Sequence, residues 1–487
     1  MSNSPSPIGI HDLSIALPSL RFPITALADL RGLDADKLRL GLGLEQMAVP
    51  DADEDVVTLG SRAVIDLLEK QQLSPRAIGR LYLGTESAVD GAKPTATYMA
   101  KMVEDWFEPS YGSRSLQHCD VLDMTFACIG GIDALQNAID WVAAGGHAAN
   151  RQAIVVAADT ARYQQNSSGE YTQGAGAVAV LVRNEPGLLC FEPHWGVGME
   201  GVHDFYKPLR PINKKELLQQ VLEAAGSNSN VDQVWSTMQE KYPSDFTTPD
   251  LFFQGHDDTP LFDGQYSNQC YTQRMEEALA HHAAQAGKDI ASLLLNDWKG
   301  IVFHLPYAFH GKRMLAGTYA KAIHDSGQWQ TYFGDQAFDE SAEKWVAKSD
   351  PYKAFVREKI DAGQLASQQV GNVYTGSIFL SLASWLFHAP ANLPEGTRLG
   401  GIAYGSGSKS KVFSMKLGAN WRQTANAFKL NELLALRHEI NSEQYLSLHS
   451  GQIKEAITKG KSIQFMGQKT DAPERLARIY RLQKANN

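Results

Sequence analysis

The sequence predicts an α/β fold with buried sheets, and two observations carry that prediction. Short runs rich in Val, Ile, Leu and Tyr, bounded by glycine or polar residues, have the composition of strands covered on both faces. Between them stand stretches whose apolar residues recur at three- and four-residue spacing, the period of a helix packed on one side. Strand and helix patterns that alternate along a whole chain require layers of helix on sheet.

The elements follow in order. RLYLGT (80–85) is the first strong strand run. In IDALQNAIDWVAAGG, Ile132, Leu135, Ile139 and Val142 share one helical face, and Gly145-Gly146 supply the stop. QAIVVAAD (152–159) and AGAVAVLV (175–182) are the next strands, and KGIVFHLP (299–306) and RLGGIAYG (398–405) repeat the pattern in the second part of the chain. From Pro211 to Asp258 the rhythm breaks into a polar helical run, KKELLQQVLEAA, a GSNSN spacer and a loop with Pro243, Pro249 and, just beyond, Pro260. This reads as a surface insertion. After Asn420, the leucines of KLNELLALRHEI and the later ERLARIYRL predict a charged helical appendage. No short-period repeat, heptad run or low-complexity tract interrupts the chain.

Composition narrows the function. A chain of 487 residues, 43% apolar and 20% charged, has the make-up of a globular protein with room for two sizeable lobes. With 45 Lys and Arg against 54 Asp and Glu, the net charge of −9 argues against nucleic acid or an anionic membrane as principal partner. The four cysteines, Cys119, Cys128, Cys190 and Cys270, include no CxxC pair and no metal-ligand spacing, so neither a structural metal nor a disulfide framework is expected. MSNSPSPIGIHDL lacks the regions of a signal peptide, and no segment approaches the ~18 apolar residues of a membrane span. The expectation is a cytoplasmic enzyme with reduced thiols.

The candidate nucleophile is Cys128, in DMTFACIGGIDAL (123–135), between an apolar approach and two glycines that open a helix. A helix N-terminus favours thiolate, and the glycines let backbone N–H groups approach a thioester oxygen. By itself such a cysteine is more often plain core. Glu86 lies in LYLGTESAVDGAK at the end of an apolar strand, where desolvation raises a carboxyl pKa into the range for proton transfer; a loop or capping carboxylate fits the local pattern as well. His304 ends GIVF before Leu305-Pro306, at the kind of strand end where α/β folds gather their sites, and it is one of fourteen histidines.

Taken together, GTESAVDGAK (84–93), TFACIGGIDAL (125–135), AADTARYQQNSSGEYTQGAGAVAVLV (157–182), HDFYKP (203–208), LFDGQYSNQCY (261–271), FHLPYAFHGKRM (303–314), GNVYTGSIFLSLASWL (371–386) and AYGSGSKSKVF (403–413) resemble the motifs of the hydroxymethylglutaryl-CoA synthase family, in that family's order. GLGLEQMAVPDADEDVVTLG (41–60) is similar too, and the 157–182 stretch is nearest to the bacterial branch. The resemblance covers most of residues 8–415 and implies a thiolase-like five-layer α/β/α/β/α sandwich of two similar halves, with an insertion and a helical C-terminal extension. The halves would be 1–190, carrying Cys128 and Glu86, and 191–415, carrying His304 and Asn372 and interrupted at about 211–258; the extension would be 416–487. A homodimer is implied.

By that resemblance Cys128 takes an acetyl group from acetyl-CoA, Glu86 removes a methyl proton, and the carbanion attacks the 3-oxo carbon of acetoacetyl-CoA while His304 polarises the carbonyl. Water then frees hydroxymethylglutaryl-CoA, with no metal or organic cofactor. Family correspondence puts Asn372, Tyr374, Ser406, Asp159, Tyr163 and Thr172 around the substrates, with Ser267 and Lys37 beside them. Where simple synthases carry a lysine five residues after the motif histidine, this chain has Phe309; Lys312 and Arg313 follow and can supply the charge for a CoA phosphate. That departure also suits the relatives that accept acyl groups from an acyl carrier protein for polyketide β-branching, with 211–258 as a docking surface, whereas the 41–60 stretch fits the mevalonate-pathway enzyme. Two further readings stay open: a ketoacyl synthase with a Cys-His-Asn site, which leaves Glu86 unexplained, and a non-catalytic binding protein on the same fold.

Overall fold

In the computed structural model, residues 6–243, 246, 252–256, 259–339, 341–471, 474 and 476–483 are described. The first half runs β1 (Ile8–Ala16), α1 (Val56–Lys70), β2 (Ile78–Gly84), α2 (Thr95–Tyr111), β3 (Asp120–Met124), α3 (Gly130–Ala143), β4 (Gln152–Thr160) and β5 (Ala175–Asn184). The second runs β6 (Leu189–Met199), α4 (Gly264–Gln285), β7 (Gly300–Phe303), α5 (His310–Asp325), α6 (Ser377–His388), β8 (Arg398–Gly405) and β9 (Lys409–Leu417). Every apolar run named above lies on one of these strands. Asp55 starts α1 with a capping box: its carboxylate accepts from Thr58 N, and the Thr58 hydroxyl accepts from Asp55 N.

Among the described residues these strands form one sheet in the order β7-β8-β9-β6-β1-β5-β4-β2-β3. The order hides a repeat. From β1 outward, β5 and β4 are each antiparallel to the strand before, and β2 is parallel to β4. From β6 outward, β9, β8 and β7 repeat the same sequence of directions. The half-sheets meet at a short seam where Gly9 and Ile10 of β1 pair with Cys190 and Leu189 of β6.

Alternation along the strands separates three cores. Ile154, Val156 and Ala158 of β4 pack with α1 and α2, while Val155 and Ala157 turn toward α3 and α6. On β7, Val302 joins that central core, whereas Ile301 and Phe303 face α4 and α5. Helix pair, half-sheet, central helices, half-sheet and helix pair are the five layers of the expected sandwich, and strands covered on both faces explain the lack of polar alternation.

The tail departs from expectation. It holds short helices, among them α7 (Ser442–His449), and then a hairpin of β10 (Ile463–Gln468) and β11 (Arg478–Leu482). ERLARIYRL is therefore a strand over Arg478–Leu482: Tyr480 and Leu482, two residues apart, turn to the core of α1 and α2, while Arg478 and the Tyr480 hydroxyl bind the capping carboxylate of Asp55 at 2.6 and 2.8 Å. A two-residue period with partners on one side outweighed the helical spacing of its apolar residues. Lys461 adds a buried tie to Asp51 at 2.8 Å and Asp53 at 2.6 Å.

Residues 205–263 form a second compact unit. Within it, helices Lys214–Ala224 and Val231–Lys241 are capped by Asn213 and Asn230, so the GSNSN spacer ends as a helix cap. Strands Leu209–Asn213 and Phe252–His256 pair antiparallel. Pro249 and the expected end at Asp258 lie outside the described residues.

Strand and central helix touch without side chains at Gly84, the last residue of β2: a Cβ there would stand 2.3 Å from Gly131 N and 2.4 Å from its Cα. Gly84→Ala is therefore expected to cost about 1–3 kcal/mol and lower the melting temperature, since overpacking against backbone cannot relax by a rotamer change. Gly91→Ala, with nothing within 4 Å of the added methyl, is expected to stay within about 0.5 kcal/mol. Equal melting curves for the two variants would contradict the close approach.

Candidate active site

The C-terminal ends of β2, β3 and β4 in one half, and of β7 and β8 in the other, bring the functional side chains forward. Beyond β3 the chain turns sharply, with Ala127 at φ +39°, and presents Cys128 just before α3 opens at Gly130. The Cys128 thiol is buried and donates to Glu86 Oε1 at 2.9 Å. Nucleophile and carboxylate, 42 residues apart in sequence, are thus one unit at a helix N-terminus.

Glu86 is held through its backbone. Its N–H donates to Asp159 Oδ1 at 2.7 Å, which also accepts from the hydroxyls of Thr85 at 3.0 Å and Ser87 at 2.8 Å. Asp159 Oδ2 accepts from Thr375 N at 3.0 Å and Thr375 Oγ1 at 2.6 Å. Burial pushes the Asp159 carboxyl up, and these donors work against that shift. Both oxygens accept hydrogen bonds from these loops, so Asp159 braces the site from within. Thr172 is likewise internal: its hydroxyl donates to Gly169 O at 2.8 Å and its carbonyl accepts from Asn372 N at 2.8 Å.

Three phenols wall the nucleophile. Burial pushes Tyr163 up, and so does the proximity of Cys128 and Glu86; its hydroxyl is hydrogen-bonded with the side chains of Tyr374 and Asn372. The rings of Tyr163 and Tyr374 are 6.2 Å apart. Tyr374 is fully buried, with φ +41°, and is pushed up by burial and then by Tyr163, Glu86 and Cys128. Asn372 shapes this turn, its Oδ1 accepting from Tyr374 N at 2.9 Å and Ser377 Oγ at 3.0 Å. Tyr271, which the sequence reading did not single out, is buried close enough to Cys128 to be pushed up by its charge. Its hydroxyl donates to His304 O at 3.1 Å.

His304 is buried at the end of β7, and burial pushes it down to about 3. Its Nδ1 has no hydrogen-bond partner among the described residues. His310, also missed, is buried against the rings of Tyr271 and Tyr307 at 4.5 and 4.8 Å and pushed down to about 3. Ser406 lies beside the Tyr404 hydroxyl in the turn after β8. A Cβ on Gly405 would stand 2.7 Å from Phe126 O, so this turn rests on the nucleophile turn. Asp204 pins it, accepting from Gly407 N at 2.7 Å, Tyr404 at 2.6 Å and Ser267 at 3.3 Å. Ser267, half-buried, thus contacts the brace.

The basic candidates are spread around Phe309, whose ring lies against Gly43 and whose N–H donates to Leu42 O at 3.1 Å. The Lys312 ammonium sits 3.3 Å from the Phe309 ring centre and 3.9 Å from Asp361. Arg313 and Lys37 are exposed, Lys37 in the turn just before Leu42.

Comparison with known proteins agrees with this geometry. Residues 4–186 match the family model for the N-terminal domain of hydroxymethylglutaryl-coenzyme A synthase, and residues 232–472 the model for its C-terminal domain. The hydroxymethylglutaryl-CoA synthase of Haloferax volcanii is 28% identical over 464 residues, covering 91% of both chains. Among solved structures, MvaS in complex with 3-hydroxy-3-methylglutaryl coenzyme A superposes with a TM-score of 0.77 at 27% identity, covering 98% of this chain and all of that one. The HMG synthase of the curacin biosynthetic pathway, in complex with an acetyl donor-ACP, shares the fold with a TM-score of 0.71 at 21% identity over 98% of this chain and all of that one. The chain belongs to the hydroxymethylglutaryl-CoA synthase family, a carbon–carbon bond-forming acyltransferase on a thiolase-like fold.

Proposed function

We propose that Cys128 takes the acetyl group of acetyl-CoA, and that the chain condenses it with acetoacetyl-CoA and hydrolyses the product to 3-hydroxy-3-methylglutaryl-CoA. The contact that carries this reading is the 2.9 Å hydrogen bond from the Cys128 thiol to Glu86 at the N-terminus of α3. Thiolate attack on the thioester carbonyl releases the CoA thiol and leaves an acetyl-enzyme. Glu86, now without its thiol donor, removes a methyl proton, and the carbanion attacks the 3-oxo carbon. Glu86 returns the proton to the new alkoxide, and water cleaves the thioester to Cys128. The thioester supplies the activation, so the reaction asks for no metal or organic cofactor.

His304 serves in this scheme as a neutral hydrogen-bond donor. A histidine held down to about 3 by burial is uncharged at working pH, as an electrophile that polarises a carbonyl without surrendering its proton must be. Tyr163, Tyr374 and Tyr271 stay protonated for the same reason of burial and close the site against water.

A second reading, in which an acyl carrier protein delivers the acyl groups, draws on one observation: Phe309 and Asp361 engage the Lys312 ammonium and compete with a CoA phosphate for it. Lys37 and Arg313, both exposed, remain for that phosphate and keep acetyl-CoA the preferred donor. No helix among the described residues is long and apolar enough to cross a membrane; a cytoplasmic homodimer in a mevalonate-type pathway completes the proposal.

Incubation with acetyl-CoA is expected to place an acetyl group on the Cys128 peptide, seen by mass spectrometry, and Cys128→Ala to abolish it. Labelling only from an acetylated carrier protein would shift the donor to that carrier, and no labelling from either would end the proposal. Glu86→Gln should still acetylate yet condense about 10²–10⁴-fold more slowly; a variant that acetylates and condenses at the wild-type rate would take Glu86 out of the proton transfer.

His304 and His310, neutral in the folded protein and ionised in the unfolded chain below pH 6.5, make folding pH-dependent. Both folded values are lowered, so their contribution is complete above pH 6.5 and lost as pH falls toward 3, at about 1.4 kcal/mol per pH unit for each. Thermal melts are expected to hold above pH 7 and drop below pH 6, with a shallower fall in His310→Phe. An unchanged slope in that variant would show that His310 is not buried neutral.

A further inference from the structure

The nucleophile helix carries a charge cluster that the scheme above leaves unused. Asp133, in the first turn of α3 and five residues after Cys128, is bound by two lysines of β9 in the other half. Lys409 Nζ lies 2.7 Å from Asp133 Oδ2, and Lys411 Nζ lies 2.7 Å from Asp133 Oδ1 and 2.6 Å from Gln136 Oε1. The three side chains are only 11–16% exposed. The Lys409 ammonium also stands 4.0 Å from the ring centre of Phe126, whose carbonyl accepts from Ile129 N at 3.1 Å inside the nucleophile turn. One lysine therefore grips the chain two residues before Cys128 and five residues after it.

The charges matter as much as the grip. A carboxylate at a thiol-bearing helix N-terminus is suited to cap the helix but opposes a thiolate beside it. Two ammonium groups on one carboxylate reverse the sign and leave one net positive charge, shielded from solvent and thus weakly screened. Among the described residues, Glu86 and the neutral Tyr163, Tyr374 and Tyr271 also face Cys128, with the neutral His304 and His310 behind Tyr271; none of these named groups supplies a cation.

We propose that Lys409 and Lys411 are positioning residues that act through Asp133 to hold the nucleophile turn and keep a net positive field at Cys128. The proposal rests on Cys128 being the nucleophile, which acetyl labelling of the wild-type protein tests separately.

The clamp is tested on the full-length protein by the rate of Cys128 alkylation with iodoacetamide between pH 5.5 and 9.5, read on the Cys128 peptide, with a melting curve for each variant. Lys409→Met and Lys411→Met are expected to move the profile to higher pH by about half to one unit, slowing alkylation near neutrality about three- to tenfold. Asp133→Asn, which leaves both lysines, should move it to lower pH, and Lys409→Arg should leave it in place. Opposite displacements cannot come from a loosened turn, which would act alike in every variant. Shifts in one direction for Lys409→Met, Lys411→Met and Asp133→Asn, or an unmoved profile in any of those three that folds, would overturn the proposal. Should a methionine variant fail to fold, Asp133→Asn and Lys409→Arg decide alone: a shift to lower pH with Lys409→Arg unmoved supports it, and any other result overturns it.

Discussion

The site depends first on one buried carboxylate. Asp159 is fully buried at the end of β4, and its two oxygens gather Thr85, Glu86 and Ser87 from one loop and Thr375 from another. Putting an ionised carboxylate in the interior costs several kcal/mol unless its lone pairs are met, and here five donors meet them with no cation among them. The arrangement explains why Thr85 and Thr375 have to be polar in the middle of a core. It also fixes Glu86 by its backbone, leaving its side chain available to Cys128. The Thr375 hydroxyl also reaches Gly84 O at 2.9 Å, a second tie between the first half and the turn before α6.

Asp204 does the corresponding work for the turn after β8, where Tyr404, Gly407 and Ser267 converge on it. The two braces stand on opposite sides of the half-to-half repeat. The first half contributes Cys128 and Glu86, the proposed nucleophile and base, and the second the histidines, Asn372 and Ser406. A reaction that joins two acyl groups gains from this division, because each half can hold one reactant rigidly while the central helices, packed without side chains at Gly84 and Gly131, keep the two at fixed separation.

Much of this was legible in the sequence, and the limits have physical causes. Strands buried on both faces announce themselves as unbroken apolar runs, so β2, β4, β5, β7 and β8 were readable directly. Cys128, Glu86 and His304 were readable as candidates, but their association came from the ordered motifs, since no local pattern records a 2.9 Å contact between residues 86 and 128. Asp159 and Thr172 were placed by family correspondence, and their internal hydrogen bonds could not be read locally, because a polar residue reads the same in sequence whether it faces ligand or braces a loop. Tyr271, His310, Thr375 and Asp204 lay inside the quoted motifs and went unremarked; only Tyr271, one helical turn after Ser267, carried a usable signal of a shared face. In the tail, Ile479, Tyr480 and Leu482 permit helix or strand, and the Asp55 carboxylate, more than 400 residues away, decides between them.

The chemistry makes two opposed demands on water. A carbanion beside a thioester is quenched by any proton source, yet the last step consumes water at the neighbouring thioester carbonyl. The phenols around Cys128 answer the first demand, since burial raises each of them above the ordinary phenol value and makes it a poor proton donor. The second falls to Glu86, an ionisable side chain in hydrogen-bonding contact with Cys128 and only half-buried. On this reading the wall is inert and the carboxylate alone moves protons, which is why a neutral His304 suffices opposite it: a second titrating group in the same cavity would offer the carbanion a competing proton.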